Sequence, residues 1–261
     1  MCGCGNLRTL IRCQPGTWEI SLAHGEPLLA VDDFVRAQDI IKTIGYKRGL
    51  HVTMTPRPFA ADDPFYKNRT ATQGSHAHIS INPAVHEEKF MAGILKNYPL
   101  LCAFGMASID SYFRSDDEIE QAAGHWVGWD YQNRYIPVRK VDTGHWELRQ
   151  ADATANMYMV IATTLAAGLH GIEMDQALTW KDCQRIPSTM TEQEREEHCM
   201  TTRVPKSLQE SLGILQRQRA VLAPYIAPVA LQAYENVKRK DLEVLGKWTL
   251  AERRKFYIRV F

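Results

Sequence analysis

The stretch HWELRQADATANMY, residues 145–158, passes from one kind of secondary structure to another. Its first half alternates, so that Glu147 and Arg149, two apart on a strand, point to the same face. From Ala153 to Leu169 the chain is apolar and alanine-rich, the pattern of a buried helix, and Gly168 or Gly171 marks its expected end. A carboxylate and a guanidinium are thus presented side by side on a strand that leads directly into a core helix.

Three upstream stretches extend this pattern. GSHAHISI, residues 74–81, reads as a strand on which His76 and His78 project together while Ala77 packs behind. NRYIPVR, residues 133–139, carries Arg134 and Arg139, whose planar forks suit phosphate or carboxylate and stay charged at any working pH. GTWEI, residues 16–20, contributes Glu19. Each stretch by itself is weak ground, since an isolated HxH pair is common on half-exposed strands. Together they supply hard metal ligands and several guanidinium groups, the combination needed to hold Mg²⁺ and the phosphates of ATP.

Between these stretches, Val31 to Gly49 predicts an amphipathic helix, with Phe34, Ala37, Ile40, Ile41 and Ile44 at helical spacing and Gly49 as its stop. Leu50 to Thr55 predicts a strand, PRPF at 56–59 a loop, and Ala61 to Gln73 a polar approach to the histidine strand. Phe90 to Ala107 reads as one buried helix and Ser115 to Gly124 as a mobile surface loop. In the last third, Leu208, Leu212 and Leu215 form a helical stripe after Pro205, continued by Tyr234 and Val237 beyond Pro228. Strands early and in the middle, with helices late, predict an α+β fold in which helices flank an antiparallel sheet. The cluster Arg253, Arg254 and Lys255 reads as a solvated helix face.

Composition narrows the function classes. At 261 residues, 45% hydrophobic and 23% charged, the chain buries a sizeable core, and a formal net charge of +1 gives no electrostatic reason to expect nucleic acid or a membrane surface. No apolar run reaches the length of a membrane span, and the start MCGCGNLRTLIRC lacks a signal-peptide core, so a cytoplasmic location is expected. The six cysteines, Cys2, Cys4, Cys13, Cys102, Cys183 and Cys199, follow no disulfide or paired CxxC pattern and are expected as reduced thiols. Neither GxxxxGK[ST] nor GxGxxG occurs, which excludes a P-loop or Rossmann turn as the nucleotide scheme.

In order and spacing, the four stretches resemble the C-terminal catalytic domain of glutamine synthetase, especially the glutamine synthetase-like proteins of fungi, from about Gly16 to Phe261. The resemblance implies a catalytic domain over 16–261 behind a remnant at 1–15, with the sheet incomplete at its N-terminal side. It implies metal ligation by Glu19, His76 and Glu147, contact of His78, Ser80, Arg134 and Arg139 with ATP, and contact of Arg149 and of Arg114, in DSYFR, with the carboxylates of glutamate. Arg134 and Arg149 are the implied catalytic cations, Mg²⁺ or Mn²⁺ the implied cofactor, and ATP the co-substrate. The implied reaction joins ammonia or another amine to a γ-carboxylate through an acyl-phosphate.

Departures from the family pattern weigh on that expectation. Ile11 stands where the family has a second metal-binding glutamate, Ala71 replaces an asparagine, and His145 stands where an arginine is usual. Glu118 and Glu120 both compete for the place of the flap glutamate. The family's N-terminal β-grasp domain has no counterpart here, so apolar surface around Met1 to Trp18 is expected to favour a homo-oligomer or association with a full-length relative. A catalytically silent relative with a structural, oligomerising or developmental-signalling role is the alternative expectation. A small cupin-like metalloprotein using His76, His78 and Glu147 leaves the arginines and the helical C-terminal third unexplained.

Overall fold

The computed structural model describes residues 18–59, 73–115 and 124–261, together with the backbone of 8–11. Two units divide between Val52 and Thr53. In the first, β1 (Arg8–Ile11) pairs antiparallel with β2 (Trp18–Ser21), and α1 (Pro27–Lys47) follows. Gly49 in the left-handed region (φ +68°) lies beyond the end of α1 as predicted, whereas the helix begins at Pro27 and not at the expected Val31, because proline suits the first helical turn. The expected boundary between residues 15 and 16 lies outside the described residues.

The second unit is built around a four-stranded sheet formed by β3 (Ala77–Ser80), β4 (Trp129–Asp130), β5 (Val138–Asp142) and β6 (His145–Leu148), in the spatial order β3-β6-β5-β4. β3, β6 and β5 are antiparallel neighbours, and the edge strand β4 runs parallel to β5. The sheet is therefore mixed within an α+β fold. β5 and β6 form a hairpin whose turn needs Gly144 at φ +69°.

One sheet face carries Trp146, Leu148 and Val138, all buried. Against it the chain sets α2 (Glu87–Lys96), whose first residue, the buried Glu87, accepts from Trp146 Nε1 at 2.8 Å and pairs with Lys140 at 2.7 Å. Next come α3 (Tyr98–Gly105) and α4 (Met157–Glu173). Phe90 to Ala107 is two helices and not one: Asn97 closes α2, its Nδ2 donating to Gly93 O at 2.8 Å, and Pro99 opens α3. Gly168 and Gly171 do not end α4. They sit inside it because α2 comes too close for side chains: a Cβ on Gly171 would lie 2.3 Å from Lys89 O, and one on Gly93 2.2 Å from Ala167 O.

The remaining helices are α5 (Glu192–Glu197), α6 (Leu208–Gln218), α7 (Pro228–Leu245) and α8 (Leu250–Val260). Thr191 with Glu194 and Thr249 with Glu252 form capping boxes on α5 and α8. Leu208, Leu212 and Leu215 are buried as predicted, and Tyr234 donates to Ala103 O at 2.6 Å; Val237, in contrast, is 58% exposed, and Leu231 and Leu245 are the buried apolar residues of α7.

Two further expectations are corrected. Leu50 to Thr55 forms no strand, because its backbone meets no ladder; Met54 N donates instead to Phe261 O at 2.8 Å. Arg253 is not a solvated charge, since its Nε reaches the buried Asp110 at 2.9 Å, while Lys255 is exposed. Ser115 to Gly124 and Ala61 to Gln73 fall largely outside the described residues, as do Ala71, Glu118, Glu120, Cys2, Cys4 and Cys13. Cys102, Cys183 and Cys199 are free thiols. No helix among the described residues is long and apolar enough to cross a membrane.

Candidate functional site

The second face of the sheet collects the polar residues. His78 lies opposite Glu147 across β3 and β6, and Arg139 lies opposite Glu147 across β5 and β6, so the three share a face by register alone. Arg149, two residues beyond Glu147, continues the row.

Glu147 is the centre. It is 3% exposed, and its two oxygens are divided among three side chains. Oε1 accepts from His76 Nδ1 at 2.8 Å and from Arg149 Nη1 at 2.8 Å. Oε2 accepts from Arg139 Nε at 2.6 Å and also from Arg139 Nη2. A buried carboxylate demands such partners, because removing it from water without them costs several kcal/mol. Burial works to raise the Glu147 pKa, but the hydrogen bond from His76 and the charges of Arg149 and Arg139 outweigh it and hold the group ionised, well below the usual carboxylate range. Burial lowers His76 to about 4 against the opposing pull of Glu147, with Arg149 adding to the depression. At neutral pH His76 is uncharged, and donation from Nδ1 to a carboxylate leaves the lone pair on Nε2, the arrangement that orients metal-binding imidazoles.

Arg114, an implied contact of the glutamate carboxylates, is 1% exposed in the 3₁₀ turn Ile109–Ser115. Nη1 donates to Gln150 O and Nη2 to Arg149 O, both at 2.8 Å, with Asp152 Oδ2 3.4 Å from Nη1. It clamps the chain where β6 ends and thereby sets the position of Arg149. Gly74 makes room for this: a Cβ there would lie 2.6 Å from Arg114 Nη2 and 3.0 Å from His76 Nε2. Gly74 and Asp152 fall inside GSHAHISI and HWELRQADATANMY, but neither residue type nor spacing marks their part in the site. Asp152 is fully buried and accepts from Thr154 Oγ1 at 2.6 Å as well as facing Arg114.

The other predicted residues are more dispersed. His78 is exposed, with Nδ1 2.9 Å from His145 Nε2, and Ser80 is exposed opposite His145. Arg134 is exposed on the 131–135 turn, where it lines an open depression with Asp130, Tyr135 and Gln184. That turn is held by Asp130 Oδ2, which accepts from the backbones of Gln132 and Asn133 at 2.8 and 2.7 Å, and by Asn133 Nδ2, which donates to Cys183 O and Arg185 O, each at 2.7 Å. Glu19 is half-buried on β2 of the first unit, opposite Leu10. The structure thus brings together His76, Glu147, Arg139 and Arg149, with Arg114 behind them and His78 alongside.

Among the described residues no group of three or more His, Cys, Asp or Glu side chains is gathered to hold a metal ion. One imidazole and one carboxylate fit a hard divalent cation only where water and phosphate oxygens complete its shell, as Mg²⁺ permits.

Comparison with known proteins adds the lineage. The family profile described as glutamine synthetase, catalytic domain, matches residues 8–254. Protein fluG of Emericella nidulans is 36% identical over 244 residues, covering 94% of this chain and 27% of its own. Glutamine synthetase of Thermus thermophilus is 27% identical, covering 84% of this chain and 51% of its own. Among solved structures, a GmaS/ADP complex superposes with a TM-score of 0.79 at 22% identity, covering 97% of this chain and 60% of the other. Plasmodium falciparum glutamine synthetase gives a TM-score of 0.70 at 20% identity, covering 92% and 56%. At those identities the structural likeness is one of fold. The chain spans about half the length of the Thermus enzyme and about a quarter of protein fluG.

Proposed function

We propose that this chain, which belongs to the glutamine synthetase catalytic-domain family, is an ATP-dependent carboxylate–amine ligase of low intrinsic rate. The reaction joins glutamate, or a related acid, to ammonia or another amine. The observation that carries this reading is the convergence of His76, Arg139 and Arg149 on one buried carboxylate, Glu147, on a single sheet face. Two guanidinium groups held within 3 Å of a fixed anion are preorganised cations, and such groups stabilise charge that develops on a transferred phosphoryl group.

In that reaction the γ-carboxylate attacks the terminal phosphorus and ADP departs. The amine then attacks the acyl carbon, phosphate departs, and the amine loses a proton. Mg²⁺ or Mn²⁺ would be held by His76 and Glu147 once the hydrogen bond between them opens, and would supply Lewis-acid charge on the phosphate oxygens. Arg139 and Arg149 neutralise charge beside it, Arg114 keeps Arg149 in place, and His78, Ser80 and Arg134 are proposed as contacts of the nucleotide. Glu19, in the first unit, is proposed as a ligand of a separate cation. The low rate follows from the donor set, since a cation held by one carboxylate and one imidazole is weakly bound.

A second reading, a silent relative with a structural or signalling role, is favoured by one feature: both Glu147 oxygens are already taken by nitrogen donors. Self-association accompanies either reading and is supported by exposed apolar residues of the first unit, Trp18, Leu28 and Leu29.

The ligase reading is tested by thermal melts with and without Mg·ATP and by phosphate release with glutamate and ammonium, paired with light scattering. Mg·ATP is expected to raise the midpoint, because it binds the folded state preferentially. His76→Ala with Glu147→Ala should abolish that shift, and the milder His76→Gln, checked for native circular dichroism, should reduce it. Slow nucleotide- and glutamate-dependent phosphate release is expected. A midpoint shift without any release supports the silent reading, and a full shift in both variants would place the nucleotide elsewhere. Turnover at an ordinary enzyme rate, about 10 s⁻¹, by a monomer would overturn the low rate and the self-association together.

A further inference from the structure

We propose that His78 and His145 form a second cation site, a two-imidazole chelate for a late first-row divalent ion of the zinc, nickel or copper class, distinct from the His76–Glu147 pair and, through His78, exclusive with the nucleotide contact proposed above. The two rings meet across β3 and β6 at a diagonal of the ladder, because His78 lies opposite Glu147 and His145 opposite Ser80. His78 Nδ1 and His145 Nε2 are 2.9 Å apart, with the ring planes at 90° and centroids 5.2 Å apart. Metal–imidazole bonds of about 2.0–2.1 Å place cis donors about 2.9 Å apart at a right angle and about 3.4 Å apart at a tetrahedral one. The 2.9 Å contact is a ring-to-ring hydrogen bond, and it already holds the two nitrogens near the spacing that two donors on one ion require.

Solvent access agrees with this. His78 is exposed and His145 half-buried, so the rings can turn their lone pairs toward a common point with little repacking. Asp142 stands directly opposite His145 on β5. Its Oδ1 accepts from Thr143 N at 2.7 Å. Two imidazoles are the protein's ligands here, and water completes the shell. In the neutral pair one contacting nitrogen carries a proton. Binding moves that proton to the same ring's other nitrogen, so both contacting nitrogens offer lone pairs and no proton is released.

The chemistry separates this site from its neighbour. His76 is tied through Nδ1 to a buried carboxylate, which suits a hard ion that keeps oxygen ligands. A pair of imidazole donors takes Mg²⁺ poorly and favours zinc, nickel and copper.

The test is titration of the purified chain with Zn²⁺ by calorimetry in excess Mg²⁺, repeated with Co²⁺, whose visible absorption reports ligand type and geometry. The same titrations are run on His78→Ala, His145→Arg and His76→Gln, each checked for native circular dichroism. The wild type should bind one more Zn²⁺ than His145→Arg. His78→Ala should weaken that ion at least tenfold, and His76→Gln should retain it with its Co²⁺ spectrum. Equal stoichiometry and affinity in wild type, His78→Ala and His145→Arg would overturn the proposal. So would loss of the ion in His76→Gln with retention in the other two, which would assign it to the His76–Glu147 pair.

Discussion

Glu147 carries more of the local energetics than any other side chain on the polar sheet face. Its neutralisation leaves Arg139 and Arg149 facing one another without an intervening anion, and Arg149 is 4% exposed. Breaking a buried ion pair from one side costs about 3–5 kcal/mol, because the uncompensated charge stays out of water. Glu147→Gln should therefore destabilise the ligand-free protein by about 3 kcal/mol. At roughly 2–4 °C per kcal/mol, calorimetry should show a clearly lowered melting midpoint. Arg139→Gln removes a more exposed partner and should cost less; the opposite ranking would show that Glu147 is not the centre of the cluster. The strand period made Glu147 and Arg149 legible as neighbours. It gave no sign that Arg114, far upstream, ends under the same strand, because that contact runs from a side chain to backbone oxygens that no residue pattern encodes.

At the scale of elements, the pairing of α2 with α4 is decided by glycine. Gly93 and Gly171 face each other so closely that a Cβ on either would lie 2.7 Å from the other's backbone. Overpacking a rigid contact costs about 1–3 kcal/mol and more where backbone is struck, so Gly93→Ala should destabilise by at least about 3 kcal/mol. Gly213 of α6 supplies the contrast: a Cβ there meets only Arg217 Nη1, at 3.4 Å. Gly213→Ala should be neutral or stabilising by about 0.5–1 kcal/mol, the usual gain from replacing glycine inside a helix. Urea melts of the two variants in parallel check the contrast, and equal effects would mean that the α2–α4 approach is not tight. The same glycines explain why α4 runs past its predicted end. Glycine as helix terminator and glycine as packing surface look identical until the neighbouring helix is placed.

Across the second unit, the last helix is tied back to its middle. Arg253 on α8 reaches Asp110, which is 2% exposed, and the Phe261 carbonyl accepts from Met54 N. Arg253→Leu leaves a buried carboxylate without its cation and should cost about 2–4 kcal/mol. Adding Asp110→Asn should restore part of that loss, since the orphaned charge is then gone. A double-mutant cycle on unfolding free energies measures the coupling, and additive effects would show that the Arg253–Asp110 pair does not hold α8. From the sequence, Arg253 belongs to a run of three cations, and runs of that kind are usually solvated. Which of the three turns inward depends on the placement of α8 against residues nearly 150 positions earlier.

What could be read without coordinates was everything that depends on short-range periodicity and chemical type. The alternation of GSHAHISI and HWELR assigned side chains to sheet faces, the leucine stripe of α6 assigned its buried side, and the order of the four stretches assigned the family. These are local or ordered along the chain, so the residues themselves carry them. Contacts between distant segments followed different physics. The parallel edge strand β4, the break between α2 and α3, the absence of a strand at 50–55 and the clamp of Arg114 all depend on which backbone groups find partners after collapse. The site divides along the same line: the ligand types of His76, His78, Glu147 and the arginines were visible in the chain. Only the folded sheet joined Glu147 to three donors and left His78 beside His145, because a ladder register selects one set of distances from many the sequence allows.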